Sequence, residues 1–109
     1  MREITYDTKT QQDWTIVILG GGLDRTNAEE TDARLRAALM EGKALALELS
    51  GLEYLSSAGL RVFLRLGKQA KADGKPYALC GANGFVKEVI EDANLDVLVD
   101  VYRSTDDLP

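Results

Sequence analysis

The segment Ala44-Leu45-Ala46-Leu47-Glu48-Leu49 is an almost unbroken apolar run, preceded by Gly42 and ended by Ser50-Gly51. A short run of this kind is the signature of a central strand covered on both faces, as in a parallel sheet. It therefore calls for strand–helix alternation on either side. The rest of the chain supplies it.

Upstream, Trp14-Thr15-Ile16-Val17-Ile18-Leu19 is rich in β-branched and aromatic residues and reads as a second strong strand. Glu3 to Thr8 alternates weakly, as an edge strand would, and polar Lys9 to Gln12 suits a hairpin connection. Gly20-Gly21-Gly22 is expected to end the strong strand as a flexible exit, because neither G-x-G-x-x-G nor P-loop spacing is present. A helix is expected from near Thr26, where Thr26 and Glu29 have the spacing of a capping box. Its core stripe is Ala28, Thr31, Leu35, Ala38 and Leu39, and Gly42 is its stop.

Downstream, a second helix runs from the Ser56-Ser57-Ala58-Gly59 turn to about Ala72. It has Leu60, Phe63, Leu64 and Gly67 on one apolar side and Val62, Leu66 and Ala70 beside it. Glycine in mid-helix costs about 1 kcal/mol relative to alanine, so Gly67 is expected where another element packs closely. Pro76 to Cys80 is a further strand. Asn83 is a candidate cap for a third helix that buries Phe85, Val86, Val89, Ile90 and Ala93, with Asn94 as a left-handed stop. Val97 to Val101 reads as a last strand, and Ser104 to Leu108 as the start of a helical turn. The order β-β-α-β-α-β-α-β predicts an α/β fold: a mainly parallel sheet of four to five strands, an N-terminal edge hairpin and right-handed helical crossovers. With 109 residues, one domain over 1–109 is expected.

Composition narrows the function. The 18 acidic and 13 basic side chains give a net charge of −5, which argues against nucleic acid or an anionic membrane as the main partner. No stretch approaches the ~18 apolar residues of a membrane span, and the N-terminus lacks a signal-peptide pattern. Cys80 is the single cysteine, set in an apolar run, so a buried inert thiol and a reducing, cytoplasmic setting are expected. There is no histidine. Histidine acid/base catalysis, Ser-His triads, histidine phosphotransfer and most zinc sites are thereby removed. No cofactor or metal is called for.

In open α/β sheets functional groups gather beyond the carboxyl ends of the strands. Three turns qualify: Gly20–Thr26, Gly51–Gly59 and Gly81–Gly84. In the second, Ser56 and Ser57 feed a helix, and either could be its N-cap, worth ~1 kcal/mol. A helix N-terminus also accepts negative charge, so a phosphate added there is tolerated locally while it disrupts any interface covering the site. A nucleophilic serine would need a base. Lys43, Lys68, Lys71, Lys75 and Lys87 are the formal candidates, but no Ser-x-x-Lys spacing follows Ser56 or Ser57. Arg61, Arg65, Lys68 and Lys71 stripe the second helix with no acid between Ser57 and Asp73. Such a stripe is usually a solvated face, and on an acidic protein it could also guide an acidic partner.

The stretch Leu45 to Arg61, LALELSGLEYLSSAGLR, resembles the signature of the bacterial anti-sigma factor antagonists, the single-domain STAS proteins. Gly21-Gly22-Leu23-Asp24 is similar to the family's Gly-x-Leu-Asp turn before the first helix, and the similarity extends over essentially the whole chain. The resemblance implies a STAS-like fold and a partner-switching role without catalytic activity. The partners it implies are an anti-sigma factor that is also a serine kinase of the GHKL ATPase fold, and a serine phosphatase. Ser57 falls at the phosphate-accepting serine and Asp24 at the acidic residue of the earlier turn. Ser56 and Ala58 stand where the family commonly has Asp and a second hydroxyl residue. The docking face is expected to comprise Asp24, Arg25, Thr26, Asn27, Ser56, Ser57, Ala58, Gly59, Leu60 and Arg61, with Asn83-Gly84 at its margin. Two other readings stay open at this point. One is an accessory subunit of a membrane transport complex that contacts its ATPase; the other is a small-ligand-binding or hydrolytic α/β domain with an apolar pocket at the strand ends.

Overall fold

A computed structural model describes residues 2–109. Two strands, β1 (Ile4–Gln11) and β2 (Trp14–Leu23), form an antiparallel hairpin. Then follow α1 (Ala28–Glu41), β3 (Ala44–Leu55), α2 (Ser57–Ala72), β4 (Tyr77–Cys80), α3 (Gly84–Asp92), a single turn α4 (Leu95–Leu98) and β5 (Asp100–Tyr102). A 3-10 turn over Thr105–Asp107 closes the described chain. The sheet runs β1-β2-β3-β4-β5, parallel from β2 onward. Because spatial order follows chain order and each crossover has the same hand, the helices share one face.

Side-chain alternation divides the core accordingly. On the helix side, Val17 and Leu19 of β2, Leu45, Leu47 and Leu49 of β3 and Leu79 of β4 pack with Leu35, Leu39, Val62, Phe63, Leu66, Val86 and Ile90. On the other side lie Trp14, Ile16, Ala44, Ala46, Ala78 and Cys80, with Leu108 of the C-terminal segment against them. That segment is pinned by two long-range bonds. Trp14 Nε1 donates to the Pro109 carbonyl (2.9 Å) and Gln11 Nε2 to that of Thr105 (2.8 Å). The central run is therefore covered on both faces as its composition implies, by helices on its leucines and by a strap on its alanines.

Several boundaries differ from expectation. Strand β1 runs to Gln11, so the hairpin closes on Gln12-Asp13, with Gln12 left-handed at φ 54°. The glycine triplet does not end β2. It lies inside the strand, where Gly22 N donates to the Glu3 carbonyl (2.9 Å) and a side chain on Gly21 (φ 85°) would collide with that carbonyl. Nor do Ser50-Gly51 end β3. The register with β2 slips between Ile18/Gly20 and again between Gly21/Gly22, so β3 bulges and continues to Leu55. Since β4 pairs with Leu45 to Glu48 alone, β2 and β3 project beyond it, with the start of β1 still paired along β2 as far as Gly21.

Toward the C-terminus, Asn94 is left-handed (φ 58°) but opens α4 instead of a loop, so Val97 and Leu98 lie in a helical turn and not in the last strand. Phe85 is 49% exposed and stands outside the core that Val86 and Ile90 enter. Gly67 behaves as expected: a Cβ there would sit 2.7 Å from Val99 Cγ1. Among the described residues, no helix is long and apolar enough to cross a membrane.

Candidate functional site

The extended ends of β2 and β3 deliver two turns side by side. The first, Asp24 to Asn27, is built from its own side chains. Asp24 Oδ1 accepts from the Thr26 amide (2.8 Å) and hydroxyl, while Asn27 Oδ1 accepts from the Asp24 amide (3.0 Å). Buried Asn27 also donates through Nδ2 to the Gly22 carbonyl (2.9 Å), fastening the turn to β2. The Thr26 hydroxyl and amide bonds hold the Asp24 carboxyl below the ordinary carboxylate range. The expected Thr26–Glu29 capping box is absent. Helix α1 starts at Ala28 behind Asn27, and the Thr26 hydroxyl is spent on Asp24. Asp24 competes for the same groups and is nearer in the chain.

The second turn separates two identical side chains. Ser56 sits at the N-cap of α2 in extended conformation, and its Oγ accepts from the Gly59 amide at 3.3 Å. Its own amide donates to the Leu23 carbonyl (2.9 Å), so the cap is tied to the end of β2. Ser57 is the first helical residue and is exposed. Its side chain makes no hydrogen bond among the described residues. Behind them Gly59 is buried against Leu23 and Leu55; a Cβ there would lie 2.7 Å from Leu23 Cγ and 2.8 Å from Leu55 Cδ1. The absence of that carbon lets α2 seat closely enough to present Ser57 beyond the sheet.

Arg25, Ala28, Glu29 and Asp32 on one side and Ala58, Arg61, Val62 and Arg65 on the other line a groove of about 430 Å³ between α1 and α2. Asp24 through Asn27 and Ser56 through Arg61 thus come together at one end of the sheet, although a whole helix and strand separate them in sequence. Asn83 and Gly84 border the same end: Asn83 Nδ2 donates to the Ser50 carbonyl (3.1 Å) on the β3 bulge. Asn83 occupies the N-cap position of α3 without a side-chain cap bond, its amide being used for this bridge.

Sequence reasoning missed Tyr54 and Phe85. Their rings stack 5.5 Å apart, with the Arg2 guanidinium 3.8 Å above Tyr54, so an aromatic surface flanks the turn. No local pattern marks the pair: Phe85 falls on the apolar stripe of α3, and the stack joins it to Tyr54 of β3. Lys75, a formal base for serine chemistry, is at the opposite end of α2, donating to the Leu39 and Met40 carbonyls (2.8 and 3.0 Å). Among the described residues, no group of three or more Cys, Asp or Glu side chains is arranged to hold a metal.

Comparison with known proteins places the fold. Residues 5–108 match the model of the STAS domain. BtrV of Bordetella bronchiseptica, named as an anti-sigma factor antagonist, is 39% identical over 77 residues, covering 70% of this chain and 66% of BtrV. The osmosensory protein A of Mycobacterium tuberculosis is 27% identical over 75 residues, 69% of this chain and 48% of that protein. The chain therefore matches 48% and 66% of the length of these curated relatives. Among solved structures, an anti-sigma factor antagonist from Mycobacterium paratuberculosis superposes with a TM-score of 0.87 at 21% identity, over 96% of this chain and 90% of that one.

Proposed function

This chain belongs to the STAS domain family, and from that premise we propose that it is an anti-sigma factor antagonist that switches partners through Ser57. Unmodified, it binds an anti-sigma factor that is also a serine kinase, over Asp24 to Asn27 and Ser56 to Arg61. Phosphorylation of Ser57 ends the interaction and a serine phosphatase restores it. The observation that carries this reading is the division of labour between the two serines. With Ser56 capping α2, the Ser57 hydroxyl is exposed and without a structural bond, open to a kinase. In support, the Bacillus protein SpoIIAA, a structural neighbour with TM-scores of 0.76 and 0.70, is known in unphosphorylated and phosphorylated forms.

The physical effect follows from charge. A dianion at the first turn of α2 is locally accepted by the helix N-terminus, but faces an interface shaped for a neutral hydroxyl. A loss of ~3 kcal/mol would weaken affinity about a hundredfold. The small-ligand reading expects an apolar pocket at the strand ends. The groove between α1 and α2 instead carries five charged side chains, Arg25, Glu29, Asp32, Arg61 and Arg65.

The test is incubation with ATP and a candidate anti-sigma factor kinase from the same organism, followed by mapping of the modified residue. Phosphate incorporation is expected in the unaltered protein and none in Ser57→Ala, which should still bind the kinase, whereas Ser57→Asp should not. Unchanged incorporation in Ser57→Ala would move the site to Ser56. No incorporation at all, with binding retained, would favour the transport-accessory reading.

A further inference from the structure

We propose that the exposed crest of α2 below Ser57, formed by Arg61, Arg65 and Lys68 and extended by Arg25 across the groove, is a recognition ridge for an acidic segment of the partner protein. The proposal rests on the partner-binding reading above and gives that partner's surface a chemistry.

The geometry of α2 comes first. At ~100° per residue, Ser57, Arg61, Arg65 and Lys68 project within an arc of about 80°, and all four are exposed. No carboxylate occurs on the helix between Ser57 and Asp73. Arg25 lines the same groove as Arg61 and Arg65.

These cations are also left over from the protein's own pairing. The ion pairs among the described residues are Arg34–Glu30, Arg36–Asp32 and Lys43–Asp13. Of the two acids across the groove, Asp32 is held by Arg36 at 3.3 Å, and among the described residues Glu29 forms no ion pair with the arginines. In a chain of net charge −5, a crest of unanswered positive charge is a local reversal of sign. Opposite charge on the partner complements it and speeds encounter.

The surroundings select among polyanions. Glu29 and Asp32 face the arginines over the groove, and the whole molecule is acidic, so a continuous phosphate backbone or an anionic membrane meets repulsion within a Debye length. A protein segment with a few interspersed carboxylates meets less of it, since each acid can be set against a guanidinium and away from Glu29 and Asp32. Ser57 at the head of the ridge also explains how one modification reaches the rest. Arg61 lies one turn below Ser57 at i+4, where side chains meet. A phosphate at Ser57 would engage that guanidinium in a charge-assisted bond and repel the incoming carboxylates.

The test uses the unphosphorylated full chain, labelled with ¹⁵N and titrated with a synthetic Glu- and Asp-rich helical peptide, a single-stranded 20-nucleotide DNA, and phosphatidylglycerol vesicles. The peptide should shift Arg25 and the amides from Ser57 to Lys68. Its affinity should fall at least tenfold in Arg61→Glu/Arg65→Glu and remain in Lys9→Glu/Lys87→Glu, which changes net charge equally; circular dichroism checks that both fold. Absence of peptide shifts, shifts centred elsewhere, equal loss in the two double variants, or tighter binding of DNA or vesicles would each overturn it. Neither kinase nor phosphate enters, so failure of the Ser57 switch leaves this result standing, and failure here leaves the switch untouched.

Discussion

Ser56 and Ser57 carry the same side chain one residue apart and differ wholly in what surrounds it. Ser56 Oγ satisfies an amide at the start of α2, whereas Ser57 makes no such bond. Ser56→Ala should therefore lower stability by ~1 kcal/mol through the lost cap. Ser57→Ala should stay within about 0.5 kcal/mol of the parent, as for a surface change; urea denaturation of both variants measures the contrast. Asp24 is equally local. Its carboxyl lies below its ordinary value because Thr26 bonds the charged form. A depressed carboxyl contributes stability above its unfolded pKa of 3.8 and loses it as pH falls through the lower folded value. Asp24→Asn is expected to lower the urea midpoint at pH 6, with the difference from the parent shrinking toward zero as the pH is taken well below 3.8.

At the scale of elements, glycine decides two close approaches that apolar periodicity alone cannot. In α2, Gly67 faces Val99, and an added methyl would meet Val99 Cγ1 at 2.7 Å. Gly67→Ala should gain about 1 kcal/mol of helix propensity but lose ~1–3 kcal/mol to overpacking. The net destabilisation should disappear, or reverse, when Val99→Ala is added. A double-mutant cycle by thermal unfolding gives the coupling. In β2 the glycines that look like a strand exit allow β1 to lie against the strand. The apolar stripes of α1 and α2 were legible because each helix has one face in the core, and the unbroken apolar runs of β3 and β4 because both of their faces are covered. The cap of α1, the bulges of β3 and the helical turn at Leu95–Leu98 were not, since each depends on a competing bond or on the register of a neighbouring strand.

For the whole molecule, sequential strand order puts the helices on one face and leaves the other to Trp14, Ile16, the alanines of β3 and β4 and the C-terminal strap. Cys80 lies under that strap, fully buried, and burial together with Glu48 and Asp107 pushes its thiol up to about 11. At pH 8 it should react with a disulfide reagent far more slowly in the native protein than in urea, since access needs the strap or the fold to open. Rapid reaction in native buffer would show that the strap lifts without unfolding. The strap also holds Trp14 through the Pro109 carbonyl, so trimming the C-terminal residues should speed the same reaction.

The sequence by itself determined the α/β class, the order of the strands and the three longer helices, the central strand and the serine turn, because side-chain periodicity and turn chemistry are local properties of the chain. It also marked the Asp24 and Ser57 turns through their resemblance to the anti-sigma factor antagonists. Only the tertiary structure decided which serine caps α2. That choice depends on where β2 ends, since the Leu23 carbonyl fixes the Ser56 amide. The same holds for the turns' adjacency, the Tyr54–Phe85 stack and the groove with its arginines. Each arises where segments distant in sequence are brought to the projecting end of β2 and β3, and no local pattern encodes that meeting.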